Sequence, residues 1–462
     1  MNSSTGGNTV QASRRFAALI PIVLISCFAF TDFAQAQTRK NQVTPWAPIV
    51  PAPQPQLNVP ASPKLAALST SAWTDIGPAP LNGGTNFSGR ITGIAANPAN
   101  SQIIYVSPAG GGVWKTINGG GAWTPQTDPQ MTLSMGAIAI GSNGTTIYAG
   151  TGESNNSLDS NFGRGILVSS DAGATWTLTT GPGGVFNTRR LTASEITIDP
   201  ANPLVAYAAM ADFGNNGLCC TNTGIYKTSN SGSTWTNVTA AVGLDATGPW
   251  TSVQVDPNNP GTVYAAHGTA FTGSVGQAAN GVYKSTDGGA TWPLLPLAPN
   301  GVNTGRIVVA VAKTPLPGNQ TFYVTVSNPN TFALFKIVRS DNGGTSFTDL
   351  TPGTPNYMGG QGWYDTTVIV DPTTPATVYV EGSAGANSIL RSTDAGVTWT
   401  DISGGAVSPH ADHHALAFDA NGKLLDGDDG GIFRLETAVG PVWTDLNGNL
   451  ETIQFQGIGL HP

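Results

Sequence analysis

The densest chemistry in the chain is the string His410-Ala411-Asp412-His413-His414, followed by Asp426-Gly427-Asp428-Asp429-Gly430-Gly431. In a strand, successive side chains alternate, so His410, Asp412 and His414 share one side and His413 takes the other. Two imidazoles and a carboxylate on one side could ligate a metal. No further ligand is apparent in sequence, so a hydrogen-bonded polar cluster is expected, and no metal or cofactor is assigned. The Asp/Gly string could wrap Ca²⁺ or, more simply, make a tight hairpin. Elsewhere Gly89-Arg90-Ile91 recurs as Gly305-Arg306-Ile307, and Trp363-Tyr364 precedes another apolar strand. Two arginines, a tyrosine and Asp412 around one opening could hold a carboxylate or a sugar. The plainer alternative is that they satisfy one another and the loop backbone.

What must position these residues is a repeat. The strings VWKTINGGGAWT (113–124), ILVSSDAGATWT (166–177), IYKTSNSGSTWT (225–236), VYKSTDGGATWP (282–293), IVRSDNGGTSFT (337–348) and ILRSTDAGVTWT (389–400) are versions of one unit, and IFRLETAVGPVWT (432–444) is a degenerate seventh. Their aromatic anchors, Trp123, Trp176, Trp235, Trp292, Phe347, Trp399 and Trp443, fall roughly 44 to 59 residues apart, the period of radial repeats. Each unit reads as four short strands, as in VQVDPNNPGTVYAAH (253–267) followed by GVYKSTDGGATW (281–292). The expectation is an all-β fold: a seven-bladed propeller of four-stranded antiparallel blades, over residues 71–462. Within the repeat, Asp or Asn bonds the hairpin's own backbone and the Trp packs between blades, so Asp287 and Asp394 are structural and not catalytic.

Composition agrees. Of 462 residues only 10% are charged, with 59 Gly and 33 Pro, and 19 Lys plus Arg leave a net charge of −8, which excludes a phosphate-tracking nucleic-acid binder. Residues 1–36 read as an export signal: Arg14 and Arg15, an apolar run over 16–30, and Ala34-Gln35-Ala36. That run is too short to span a bilayer, and no other stretch could be transmembrane. A second reading takes Leu24-Ile25-Ser26-Cys27 as a lipoprotein box with a lipid anchor at Cys27. Either way the chain is expected outside the cytoplasm, secreted, periplasmic or at the cell surface. Residues 37–70 are a proline-rich spacer. Cys219-Cys220 is a local loop staple or a pair of thiols.

The repeats resemble the Asp-box repeats of sialidases, of xyloglucan-cleaving endoglucanases and of the sortilin-type receptor domain. They are most similar to secreted bacterial sortilin-like, BNR-repeat proteins, through ITGIAANPANSQIIYVSPAGGGVWKTINGG (91–120) and HADHHALAFDANGKLLDGDDGGIFR (410–434). Residues 451–462 resemble the opening strand of a further blade, and Trp73-Thr74-Asp75-Ile76 the closing strand of another. The ends could complete a ring, or the chain could be a truncated version of a larger array.

Strand order locates a working face. If blades run from the centre outward, the second-to-third loops share one end with the blade-to-blade crossings. Three of those loops are long (151–165, 210–224 and 267–281), and long loops on a rigid scaffold carry recognition. Aligning the innermost strands places Arg90, Ser134, Thr192, Pro249, Tyr364 and Asp412 at equivalent positions around the channel mouth, with Arg306 alongside.

Three functions fit. Recognition of an extracellular polysaccharide, glycoconjugate or peptide is placed first, with Arg90, Arg190, Arg306, Glu153, Trp363, Tyr364, His410 and His414 as ligand-binding residues. Glycoside hydrolysis is the alternative and needs two carboxyls. The resemblance to xyloglucan-cleaving enzymes puts their blade-one acid at Ala109, so that acid is missing, whereas blade seven offers Asp428 in register, with Asp412 or Glu153 as partner. The sialidase resemblance implies an arginine triad of Arg90, Arg190 and Arg306 with Tyr364 as nucleophile. A structural surface protein is third.

Overall fold

The computed structural model describes residues 81–453 apart from 83–85, 156, 158–159, 212–221, 241–242, 245–247, 269–277, 298–299 and 317–319. The export signal, the spacer, Trp73 to Ile76, Cys219-Cys220 and residues 454–462 lie outside the described residues. The chain divides into residues 1–74 and 75–462, and everything below concerns the second unit.

Among the described residues a two-stranded ribbon, Leu81–Asn82 with Asn86–Phe87, precedes seven antiparallel blade sheets that follow one another along the chain. Their first strands are Ile91–Ala96, Met135–Ile140, Thr192–Ile198, Trp250–Val255, Ile307–Val311, Thr367–Val370 and His413–Phe418. Each sheet keeps the order first, second, third, fourth, and each first strand packs against the first strands of both neighbouring blades, the last against the first. That is a closed seven-bladed propeller with first strands innermost. In blade four the fourth strand shrinks to a single bridge, Tyr283 to Leu294. Among the described residues no helix is long and apolar enough to cross a membrane.

The core is seven layers between blades rather than one central mass, as expected where each sheet is apolar on both faces. All seven aromatic anchors pack back onto the preceding blade. Trp235, for example, lies edge-on to Tyr148 of blade two at 6.1 Å between ring centres. The hairpin before each anchor is held as the residue types suggest. The side-chain oxygen of Asn118, Asp171, Asn230, Asp287, Asn342 or Asp394 accepts the backbone N–H four residues on at 2.8–2.9 Å. Bonds from the Thr175, Thr291 and Thr398 hydroxyls, then from backbone N–H groups, hold the three aspartates down at a pKa of about 2. They are permanently ionised turn acceptors, with no proton to give.

Closure joins blade seven to blade one without a shared sheet. The Trp123 indole N–H donates to the Leu446 carbonyl at 2.8 Å, and its backbone N–H to Asn449 Oδ1 at 2.6 Å. The Ser88 hydroxyl donates to the Leu450 carbonyl at 2.7 Å, and the Gly89 N–H to Thr452 Oγ1 at 3.0 Å. A Cβ on Gly89 would sit 1.8 Å from the Thr452 carbonyl oxygen, so only glycine permits this approach. Of the stretch 451–462, residues 451–453 are described, and Thr452 belongs to the seam.

Trp123→Ala is expected to open this seam at a cost of about 3–5 kcal/mol, seen as a lower urea midpoint. An unchanged midpoint would show that other contacts close the ring.

Candidate functional site

In five blades the innermost strand carries a β-bulge at the same place, where one residue is left unpaired: Thr92, Gly136, Ser194, Thr251 and His414. A bulge re-aims its side chain. Thr92, Ser194, Thr251 and His414 accordingly line the central channel, together with Glu195, Arg306 and Thr366, around a cavity of about 150 Å³. The bulged hydroxyls also bind the next blade. Thr92 Oγ1 reaches the Met135 carbonyl at 3.2 Å, and Thr251 Oγ1 the Ile307 carbonyl at 2.7 Å. Sequence alignment of the strands found the positions just before these bulges, but not the bulges.

Above the channel the loop-rich end gathers a polar cluster. Arg90 meets Glu153 through two nitrogens, Nε to Oε1 at 2.9 Å and Nη2 to Oε2 at 3.2 Å, and both residues are buried. The Ser160 hydroxyl donates to the same Glu153 carboxylate at 2.6 Å. Arg90 Nη1 donates to the Tyr364 hydroxyl, which in turn faces the Asp429 carboxylate at 3.3 Å. His414 Nε2 lies 2.7 Å from Asp429 and 3.5 Å from Asp365. Its Nδ1 is 3.0 Å from the Asn155 side-chain nitrogen, while Asn155 Oδ1 accepts from Arg306 Nη1 at 2.8 Å. Arg306 can only donate, which fixes the Asn155 amide and puts the His414 proton on Nε2, toward the two carboxylates.

Of the expected mouth residues, Arg90, Arg306, Glu153, Tyr364, Asp412 and His414 come together here. Trp363 contributes its backbone oxygen to Arg306 at 3.4 Å and its ring to Tyr364 at 5.2 Å. Three expected residues make contacts of a different kind. Arg190 stacks on Phe162 at 4.4 Å, beside Arg164, so the arginine triad is not assembled. His410 packs edge-on against Phe87 and bonds the adjacent Ala411 carbonyl, so His410, Asp412 and His414 do not converge. Asp428 is fully buried, accepting the Gly430 N–H at 2.7 Å, because the strand Leu424–Asp428 turns it into the blade. Its neighbour Asp429, 26% exposed, is the carboxylate that reaches the mouth. Asp429, Asp365, Asn155 and Glu195 carry no distinguishing mark in residue type or spacing. Ala109 is buried and donates its N–H to the Arg90 carbonyl, so blade one supplies no acid there.

The carboxyls are electrostatically unequal. Burial, then the charges of Asp412 and Asp429, drive Asp365 well above the usual carboxylate range. Burial also pushes Asp429 up, but the hydrogen bond from His414, together with Arg90 nearby, outweighs it and holds Asp429 below its usual value. Burial, then Asp429, raises Tyr364. Deeper in the channel, burial raises Glu195 to about 7 against bonds from Ser252 Oγ (2.6 Å), the Val253 N–H (2.8 Å) and Gln254. Burial lowers Arg306 to about 10 despite Asp365, Glu195 and Glu153. Two carboxyls shifted in opposite directions beside the same imidazole form the kind of asymmetry that acid–base chemistry uses.

No protein-family model matches the chain. The chain is similar to a xyloglucanase of Hypocrea jecorina, 28% identical over 374 residues, covering 73% of this chain and 41% of that protein. It is also similar to a xyloglucanase of Paenibacillus sp, 29% identical over 350 residues, covering 68% of this chain and 31% of the other. The chain thus spans less than half the length of these relatives. Among solved structures, the GH74 xyloglucanase from Xanthomonas campestris superposes with a TM-score of 0.56 at 18% identity, over 78% of this chain and 54% of that one. An ancestral GH74 enzyme gives 0.57 at 16%, over 78% and 46%. At such identities the structural likeness establishes the propeller fold alone.

Two outcomes follow for the cluster. Arg90→Met leaves Glu153 buried without its ion pair and should cost about 3–5 kcal/mol, more than the double change Arg90→Met with Glu153→Leu. Chemical denaturation of both measures it. Glu195, raised in the folded state, favours folding fully below the unfolded carboxylate range and loses that contribution as pH climbs through about 7. Channel water screens the group, so the change is on the order of 1 kcal/mol. Melting temperature should therefore fall between about pH 4.5 and 7, and this fall should be smaller in Glu195→Gln.

Proposed function

We propose that this propeller acts on an extracellular polysaccharide of the xyloglucan type, as a glycoside hydrolase domain. The supporting observation is that relatives named xyloglucanases align over about two thirds to three quarters of the chain. The mouth is chemically suited. Asp429, 26% exposed, is held below the usual carboxylate range, while Asp365, 3.5 Å from the same imidazole, is held above it, with the half-buried Asp412 nearby. Hydrolysis of a glycosidic bond needs one carboxyl protonated and one ionised. In this reading Asp429 acts as base or nucleophile, and the acid comes from the Asp365 and Asp412 side of His414. Arg90 and Tyr364 orient Asp429, and Trp363 offers a ring face for a sugar. Asp428, the residue in register with the relatives' acid, is too enclosed to touch substrate.

Recognition without turnover is the second reading. It is favoured by Ala109 in place of the relatives' acid and by the mutual pairing of the mouth residues. The same reading takes the repeats as Asp boxes of the sortilin-like kind and residues 1–36 as an export signal. Residues 37–70 are then the spacer that carries the propeller, soluble or anchored at Cys27.

Purified protein incubated with xyloglucan should release reducing ends, and Asp429→Asn should lower kcat by about 10²-fold or more while the fold is retained. Retarded migration in a xyloglucan-containing gel with no reducing ends released would establish the second reading. Neither turnover nor retardation on any glycan would discard both.

A further inference from the structure

On the opposite side of the innermost strand of blade seven from His414, the side chain of His413 enters the layer between blades six and seven. There it meets Glu381, from the second strand of blade six (Val378–Glu381), and Asp426, from the second strand of blade seven. We propose that Glu381, His413 and Asp426 form a buried site for a divalent transition-metal ion that staples blade six to blade seven. The inference is independent of the polysaccharide reading.

The geometry is that of a ligand set. One donor atom from each of the three residues lies within 4.8 Å of the other two. His413 Nδ1 stands 3.0 Å from Asp426 Oδ1, a separation that two ligands of one ion at about 2.0–2.2 Å adopt without moving. The His413 Nε2 is 3.3 Å from the Ser388 hydroxyl, the outer contact that orients a ligating imidazole.

The charge balance points to a cation. Glu381, Asp426 and Asp428 are all fully buried, and among the described residues none is ion-paired with Lys or Arg. Neither oxygen of Glu381 has a hydrogen-bond partner, and Asp428 Oδ2 has none either. Unpartnered carboxylates in such a setting are expensive unless a positive charge lies among them. One imidazole, even protonated, offsets a single carboxylate. A divalent ion bound by Glu381, Asp426 and His413 would leave Asp428 as the one remaining charge, beside the ion. Imidazole with two carboxylates suits Zn²⁺ or Mn²⁺ better than Ca²⁺ or Mg²⁺, which prefer oxygen alone. The three ligands are closed off from solvent, so the ion would be structural and taken up during folding. Because His413 and His414 are adjacent across the bulge, fixing one also fixes the direction of the other into the channel.

The test uses the full chain, unfolded and refolded with chelator, with Zn²⁺ or with Mn²⁺, then desalted. Elemental analysis by plasma mass spectrometry should find about one ion per chain, and the melting temperature should exceed that of the chelator-refolded protein by several degrees. Glu381→Gln and His413→Gln should each fold, shown by a propeller-like circular dichroism spectrum, yet hold no ion and melt at the same temperature with or without metal. The proposal is overturned if the wild type retains far less than one equivalent of either ion. It is equally overturned if Glu381→Gln keeps its full complement. Should one variant fail to fold, the other and the wild-type stoichiometry still decide.

Discussion

A four-stranded blade with two apolar faces cannot stand alone, and this constraint organises the molecule. Each face must be covered by another blade, each aromatic anchor by the blade before it, and the requirement ends only when the seventh blade meets the first. At that seam the tryptophan of blade one, which has no preceding blade in sequence, finds the Leu446 carbonyl instead. Closure forces seven innermost strands to begin around one opening. Residues as distant along the chain as Arg90 and Tyr364 therefore become hydrogen-bonded neighbours.

The bulges turn that opening into a site. A regular strand would alternate side chains between the two flanking layers and leave the channel lined by backbone. In four of the blades an unpaired residue diverts a hydroxyl or an imidazole to the axis, and in blade seven it separates His413 from His414 into two different environments. One faces the channel and its unequal carboxyls. The other faces the layer between blades six and seven with three buried carboxyls of its own. Two adjacent histidines thus take part in unrelated chemistry, on opposite faces of one strand.

Charge in this protein is scarce and concentrated. With so few arginines, placing Arg90 and Arg306 both at the mouth commits them to holding carboxylates that burial would otherwise neutralise. His414 and Arg90 hold Asp429 below the usual carboxylate range, whereas burial and its acidic neighbours hold Asp365 above it. The difference between two aspartates arises entirely from what faces them, and it is the difference hydrolysis would use.

How much of this was legible in the chain follows from the range of the interactions. The repeat, its period and the turn chemistry of Asp287 or Asn342 are local, so residue type and spacing sufficed for the blades and the structural aspartates. The positions Arg90, Arg306, Tyr364 and Asp412 were also readable, because equivalent strands begin at equivalent heights. The bulges were not, since an unpaired residue is defined by the partner strand and not by its own sequence. That is why the burial of Asp428, the exposure of Asp429, the company kept by His413 and the drift of Arg190 onto Phe162 emerged only when the ring was folded. The sequence by itself determined the unit and the number of its copies. Tertiary structure alone decided which carboxyls share a nitrogen and which share nothing but each other, because those distances exist only after the blades are pressed together.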